Sequence, residues 1–181
     1  MVEGASITSS GKTLVIGLGN PIISDDSIGL RVADAVRGIA AGNPAVDVKT
    51  TSLTGLNLLD FIEGYAKVIV VDSILTQNGQ PGAVYRLALA DIETGRHTAT
   101  IHDIGLAGVI ELGTKNGLAM PSEVVLIAIE ADDITTFSPA CTASVSAAIP
   151  RALDLIAEEI NTGSDLKHQT WEHRKFSPFV H

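Results

Sequence analysis

The chain has 181 residues, 45% of them hydrophobic and 18% charged, which is enough for one domain with a substantial core. Its net charge of −9 disfavours a nucleic-acid partner, because most of the surface would repel a phosphate backbone. No apolar run approaches the roughly 20 residues of a membrane span, and residues 1–11 lack the pattern of a signal peptide. The single cysteine excludes an internal disulfide and a cysteine zinc site. We therefore expect a cytoplasmic, globular protein that binds neither membranes nor nucleic acid.

Along the first half of the chain, short apolar runs alternate with amphipathic segments. Residues 1–11 are small and polar, which predicts a flexible arm. The hydrophobic periodicity then predicts strands over 12–16, 46–51, 67–71 and 83–89, and helices over 28–41 and 55–62. Thr54 is a candidate cap for the second helix, and Arg86 predicts that the fourth strand lies at a sheet edge.

The second half continues the alternation. Residues 91–99 are predicted as a loop, and a helix with Leu106, Val109, Ile110 and Leu112 facing inward follows it. A strand over 123–129 precedes one last helix, which Thr142 would cap and Pro150 would kink. Residues 161–181 are predicted to be a polar tail. This order predicts one α/β domain over 12–160, with a mostly parallel sheet between two layers of helices.

The stretch 14–29 contains the first candidate site residues. Gly17 and Gly19 are predicted to turn the backbone tightly after a buried strand, and Asp25 and Asp26 then precede a helix. Asp72 follows the strand over 67–71. Because parallel strands place their carboxyl ends at one edge of a sheet, we expect Asp26 and Asp72 to share that edge. Helix capping is the structural alternative for each acid.

His102 completes the only combination of residues with a clear chemical purpose. The predicted helix that follows it would disfavour an imidazolium, which leaves a neutral lone-pair donor. Two carboxylates and one imidazole suit nickel, zinc or iron, although the spacing alone carries no metal signal. Three other acids have simpler interpretations: Glu130 either lines the same cleft or accepts a loop hydrogen bond, and Asp132 and Asp133 are expected to face solvent.

Nucleotide binding is an alternative that the residues do not favour. The run Gly17-Leu-Gly19 begins a dinucleotide fingerprint, but Ile22 occupies the position of the third glycine. The run from Gly17 to Pro21 also resembles the start of peptidyl-tRNA hydrolase. No Thr-Arg-His-Asn segment follows, and the acidic charge argues against a tRNA substrate.

The chain resembles the hydrogenase maturation proteases over about residues 12–160. The resemblance lies in the order and spacing of five groups of residues: Gly17-Leu-Gly-Asn20 with Asp25, Asp26 and Gly29; Thr54-Gly55 with Leu58-Leu-Asp60; Val70-Val-Asp72; His102 with Gly105-Leu106; and Ile129-Glu130 with Ile149-Pro150-Arg151. It implies a three-layer α/β/α sandwich of the phosphorylase/hydrolase-like type, around a twisted, mostly parallel five-stranded sheet. Ser27, in place of a common glycine, and Ile101, in place of a common proline before the histidine, depart from the family pattern.

The resemblance also implies a function and a site. Asp26, Asp72 and His102 would be the metal-binding and catalytic residues, and Asp25, Asn20 and Gly19 would support them. The substrate would be the large-subunit precursor of a nickel–iron hydrogenase, which brings the nickel and loses its C-terminal extension. We expect such an enzyme to be monomeric and to need no permanent metal. A non-catalytic metal-sensing or scaffold protein is the alternative on the same fold.

Overall fold

A computed structural model describes residues 11–89 and 105–162 and places them in three layers. The predicted loop over 91–99, His102 and nearly all of the predicted arm and tail lie outside the described residues. The strands are β1 (Thr13–Leu18), β2 (Val46–Thr51), β3 (Lys67–Ile74), β4 (Val84–Ala88) and β5 (Glu123–Glu130). The helices are α1 (Ile28–Ile39), α2 (Leu59–Ile62), α3 (Leu106–Lys115), α4 (Ala143–Ser146) and α5 (Ile149–Thr162).

The five strands form one sheet in the order β2-β1-β3-β5-β4. The first four strands in this order are parallel to one another, and β4 pairs antiparallel with β5 at the edge. The predicted mostly parallel sheet with Arg86 on an edge strand is therefore confirmed. The predicted end of β3 is wrong, because β5 pairs with it as far as Ile74 and thereby places Asp72 inside the strand, opposite Ala128.

Alternating side chains of the strands build a separate core on each face of the sheet. On one face, Val15, Ile69 and Ile127 pack with residues of α1, α4 and α5. On the other, Ile16, Val70 and Leu126 pack with residues of α2 and α3 and of the 3-10 turn before α2. Strands that are buried on both faces explain the continuous apolar runs in the sequence.

Three helical predictions need correction. The last predicted helix is two helices, and Pro150 is the second residue of α5, where its missing N–H would have no helical partner anyway. Leu112 is 41% exposed, so Leu106 and Val109 supply the buried apolar residues of α3. Thr54 makes no side-chain cap bond to the 3-10 turn Gly55–Leu58 that begins the predicted second helix.

An ion cluster at the amino end of the sheet has a buried centre, Lys67 and Glu159, and two exposed partners. The Lys67 ammonium lies 2.7 Å from the Glu159 carboxylate and 2.9 Å from that of Glu123, and Arg86 also bonds Glu159. Burial disfavours ionisation of Glu159, but the hydrogen bonds and charges of Arg86 and Lys67 outweigh it and lower its pKa. No helix within residues 11–89 and 105–162 is long and apolar enough to cross a membrane.

Candidate active site

Asp26 and Asp72 share Ser73 as a hydrogen-bond partner at the carboxyl edge of the sheet. The Ser73 hydroxyl donates a hydrogen bond to Oδ1 of Asp26 (3.2 Å), and its backbone N–H donates to Oδ1 of Asp72 (2.8 Å). Both acids are almost fully buried, with 4% and 1% of their surface exposed. One serine thus holds two buried carboxylates from segments that are 46 residues apart in the chain.

The loop after β1 fixes the second oxygen of Asp26. The backbone N–H of Asn20 donates to Oδ2 of Asp26 (3.0 Å) and also approaches the Asp26 carbonyl oxygen (3.3 Å). Gly19 has a φ of 145°, and a Cβ on it would lie 2.0 Å from the same carbonyl oxygen. The supporting residues Gly19 and Asn20 therefore shape the turn that delivers the carboxylate.

Two glycines bring the start of α1 against the ends of β1 and β3. A Cβ on Gly29 would lie 2.2 Å from the Leu18 carbonyl oxygen and 2.4 Å from that of Val71, and a Cβ on Gly17 would lie 2.2 Å from the Gly29 carbonyl oxygen. Gly17 lies inside β1, so the prediction that it turns the chain is wrong. Its role is to let the helix approach the sheet, and this approach places Asp26 over the end of β3.

Asp25 is fully buried and holds a distant loop. Its carboxylate accepts hydrogen bonds from the backbone N–H groups of Asp132 (3.0 Å), Asp133 (2.9 Å) and Thr142 (2.7 Å), and from the Thr142 hydroxyl (3.0 Å). No side-chain cap bond is formed at the start of α1. Asp25 therefore fixes the loop over 131–142 beside the candidate site, and Thr142, predicted as a helix cap, is one of its donors.

The other acids at this edge have structural partners. Glu130 is buried and accepts hydrogen bonds from the Thr76 backbone N–H (2.7 Å) and hydroxyl (2.9 Å), so the loop hydrogen bond is the alternative that is confirmed. Asp132 is exposed, as expected. Hydrogen bonds from Thr136 and Thr135 lower the pKa of Asp133, which keeps this surface carboxylate ionised at neutral pH.

The described residues supply two of the three predicted ligands. Within residues 11–89 and 105–162, no group of three or more His, Cys, Asp and Glu side chains is placed to hold a metal ion. His102 is outside those ranges. Two carboxylates offer hard oxygen donors for a divalent cation or acceptors for a proton, so the geometry alone is compatible with both kinds of chemistry.

The fold and the buried acid pair define an α/β/α protein with a candidate site at the carboxyl edge of its sheet. A family model described as hydrogenase maturation protease matches residues 30–159, which is more than half of the chain. The chain belongs to the hydrogenase maturation protease family, and it is accordingly a peptidase. The family resemblance seen in the sequence is thereby confirmed.

Individual relatives agree with the family match. The hydrogenase 2 maturation protease of Escherichia coli K12 is 23% identical over 153 residues, covering 81% of this chain and 92% of the relative. The crystal structure of a hydrogenase 2 maturation peptidase from a Thaumarchaeota archaeon is 30% identical, covers 82% of this chain and 97% of that one, and has a TM-score of 0.59. The maturating endopeptidase HybD of E. coli is 22% identical over 83% and 93% of the two chains, and its TM-score of 0.69 confirms the predicted fold.

Proposed function

We propose that this chain is an endopeptidase that removes the C-terminal extension from the nickel-loaded large-subunit precursor of a nickel–iron hydrogenase. Membership of the family supports the peptidase activity. The observation that carries the proposed site is the pair of buried carboxylates, Asp26 and Asp72, joined by Ser73. The cytoplasm and a monomeric enzyme stay predictions from the sequence.

His102 is proposed as the third side chain of the site. Val70 and Ile74 lie two residues before and after Asp72, on the same face of β3. Both belong to the core that α3 covers. The chain enters α3 at Leu106, directly after the segment that contains His102. This connection favours His102 as a partner on the Asp72 side of the site, with Asp26 on the α1 side.

The proposed chemistry makes nickel part of the substrate. A nickel ion in the precursor would polarise the scissile carbonyl or activate water. Asp26 and Asp72, oriented by Ser73 and by the turn at Asn20, would recognise the ion, while their burial limits competing water. We favour this over an aspartic-type dyad, because a shared proton between two carboxylates leaves His102 without a role.

Cleavage of a purified nickel-loaded precursor tests the site assignment. Asp26→Asn, Asp72→Asn and His102→Ala should each reduce kcat/KM by at least about 100-fold, because each removes a carboxylate charge or the imidazole that the proposed site needs. Asp154→Asn is the matched control, since Asp154 is an exposed acid on α5, and it should cleave at the wild-type rate. Equal cleavage by all variants would contradict the assignment. Tight binding of the precursor without any cleavage by wild type would instead favour a scaffold protein.

A further inference from the structure

Exposed apolar side chains are concentrated around the candidate site. Six large hydrophobic side chains of the described residues are exposed, and five of them follow the carboxyl ends of parallel strands. These five form the apolar rim: Ile22 (58% exposed), Leu53 (48%), Leu56 (63%), Leu75 (40%) and Phe137 (77%). The sixth, Leu112, lies on α3. Single exposed apolar residues are common on protein surfaces, so the informative observation is that five of these six follow strand ends at the edge that holds Asp26 and Asp72.

Backbone hydrogen bonds join the segments that carry two of the rim residues, Ile22 and Phe137. Phe137 pairs with Ile23 in an antiparallel bridge, and the Ser138 N–H donates to the Ile22 carbonyl oxygen (3.2 Å). The Ser24 N–H donates to the carbonyl oxygen of Thr136 (3.0 Å). A phenyl ring that is presented to solvent by an ordered loop loses little entropy when a partner covers it.

Three rim residues stand on segments that carry or hold the acids. Ile22 precedes Asp26 by four residues in the same loop, and Leu75 follows Asp72 by three. The Asp25 carboxylate, next to Asp26, holds the loop that carries Phe137. Ile22, Leu75 and Phe137 are thus presented by segments at the edge of the sheet where the proposed site lies.

Charge narrows the chemistry of the partner. Hydrogen bonds from Thr136 and Thr135 lower the pKa of Asp133, which lies in the loop that carries Phe137. With a net charge of −9, the chain favours a partner whose apolar residues are flanked by basic ones. A second copy of this chain would bring like charges together.

We infer that the apolar rim is the docking surface for the protein substrate, and that it binds a substrate segment with apolar side chains and basic neighbours beside the cleaved bond. This inference rests on the proposed function, because it takes the maturation substrate as the occupant. The rim supplies binding energy outside the reacting groups, so it acts mainly on KM.

The test uses the full chain and a purified nickel-loaded large-subunit precursor. The double variant Ile22→Ser/Phe137→Ser is compared with wild type and with Leu112→Ser, a matched control that removes an exposed leucine from α3. We expect the double variant to weaken precursor binding and raise KM by about 10- to 100-fold, with kcat within about twofold. Leu112→Ser should leave both unchanged, and the thermal midpoints of all three proteins should agree, because the removed side chains are exposed.

Two results would overturn the inference while leaving the proposed function intact. One is cleavage of the precursor by the double variant with wild-type KM. The other is sedimentation that shows a wild-type dimer and a monomeric double variant with unchanged KM, which would make a second copy the occupant. Failure of wild type to bind or cleave the precursor would overturn the proposed function itself, and the assignment of the occupant with it.

Discussion

Removal of the Asp25 carboxylate should destabilise the fold more than removal of any exposed acid. Asp25 is fully buried and accepts four hydrogen bonds, three of them from backbone N–H groups of the loop over 131–142. Asp25→Ala leaves these part-buried donors without their acceptor, whereas Asp25→Asn keeps one oxygen. The two variants therefore separate loss of the acceptor from loss of charge.

The magnitude follows from the donors that lose their partner. A hydrogen bond to a charged group contributes about 1.5–3 kcal/mol, and an unsatisfied buried donor costs about 1–3 kcal/mol. The four bonds share one carboxylate, and the loop can relax toward water, so their contributions do not add in full. We expect Asp25→Ala to lower the free energy of unfolding by about 3–5 kcal/mol, and Asp25→Asn by about half as much.

Urea unfolding followed by circular dichroism measures this directly. Asp154→Ala is the matched control, because it removes the same charge from an exposed position on α5, and it should change the free energy by less than about 0.5 kcal/mol. A loss below about 1 kcal/mol for Asp25→Ala would refute the reasoning. Equal losses in Asp25→Ala and Asp25→Asn would show that charge, rather than the hydrogen-bond acceptor, stabilises the loop.

Three further predictions concern the glycine contact, the ion cluster and the serine bridge. Gly29→Ala should lower the free energy of unfolding in urea by several kcal/mol, because its methyl would lie 2.2 and 2.4 Å from carbonyl oxygens of β1 and β3. Gly38→Ala is the control, because it adds a methyl to open space on the same helix. It should raise the free energy of unfolding by up to about 1 kcal/mol. The pKa of Glu159 is lowered in the folded state from its ordinary value of 4.5. Its contribution to stability is therefore present above pH 4.5 and is lost as the pH falls through the folded pKa. Glu159→Gln should make the free energy of unfolding less dependent on pH below about 5. Ser73→Ala removes the hydroxyl bond to Asp26 but keeps the backbone N–H bond, and should lower kcat by about tenfold at a temperature where the variant is fully folded. An unchanged kcat would show that the hydroxyl does not position Asp26.

The sequence predicted most of the scaffold because its signals are local. Continuous apolar runs identified β1, β3 and β5 as buried strands, and the alternation of strands with helices predicted a mostly parallel sheet. The rule that parallel strands end at one edge predicted that Asp26 and Asp72 lie at the same edge, and their shared partner Ser73 agrees with it. His102, the third predicted ligand, lies outside the described residues and stays a prediction.

The roles of individual residues were harder to predict because they depend on distant partners. Asp25 and Asp26 are identical neighbours in the sequence, and only the donors from residues 132–142 show that Asp25 holds a loop. Gly17 serves close packing rather than a turn, and both uses of glycine produce the same sequence pattern. Pro150 starts a helix instead of kinking one, and that distinction depends on where α4 ends.

The central claim is that the paired carboxylates recognise nickel carried by the substrate. The most direct measurement compares the cleavage rate of one purified large-subunit precursor in its nickel-loaded and nickel-free forms, with wild type and with Asp26→Asn. The account predicts that wild type cleaves the nickel-loaded form at least about 100-fold faster, and that Asp26→Asn abolishes this preference. Equal cleavage of both forms by wild type would contradict it.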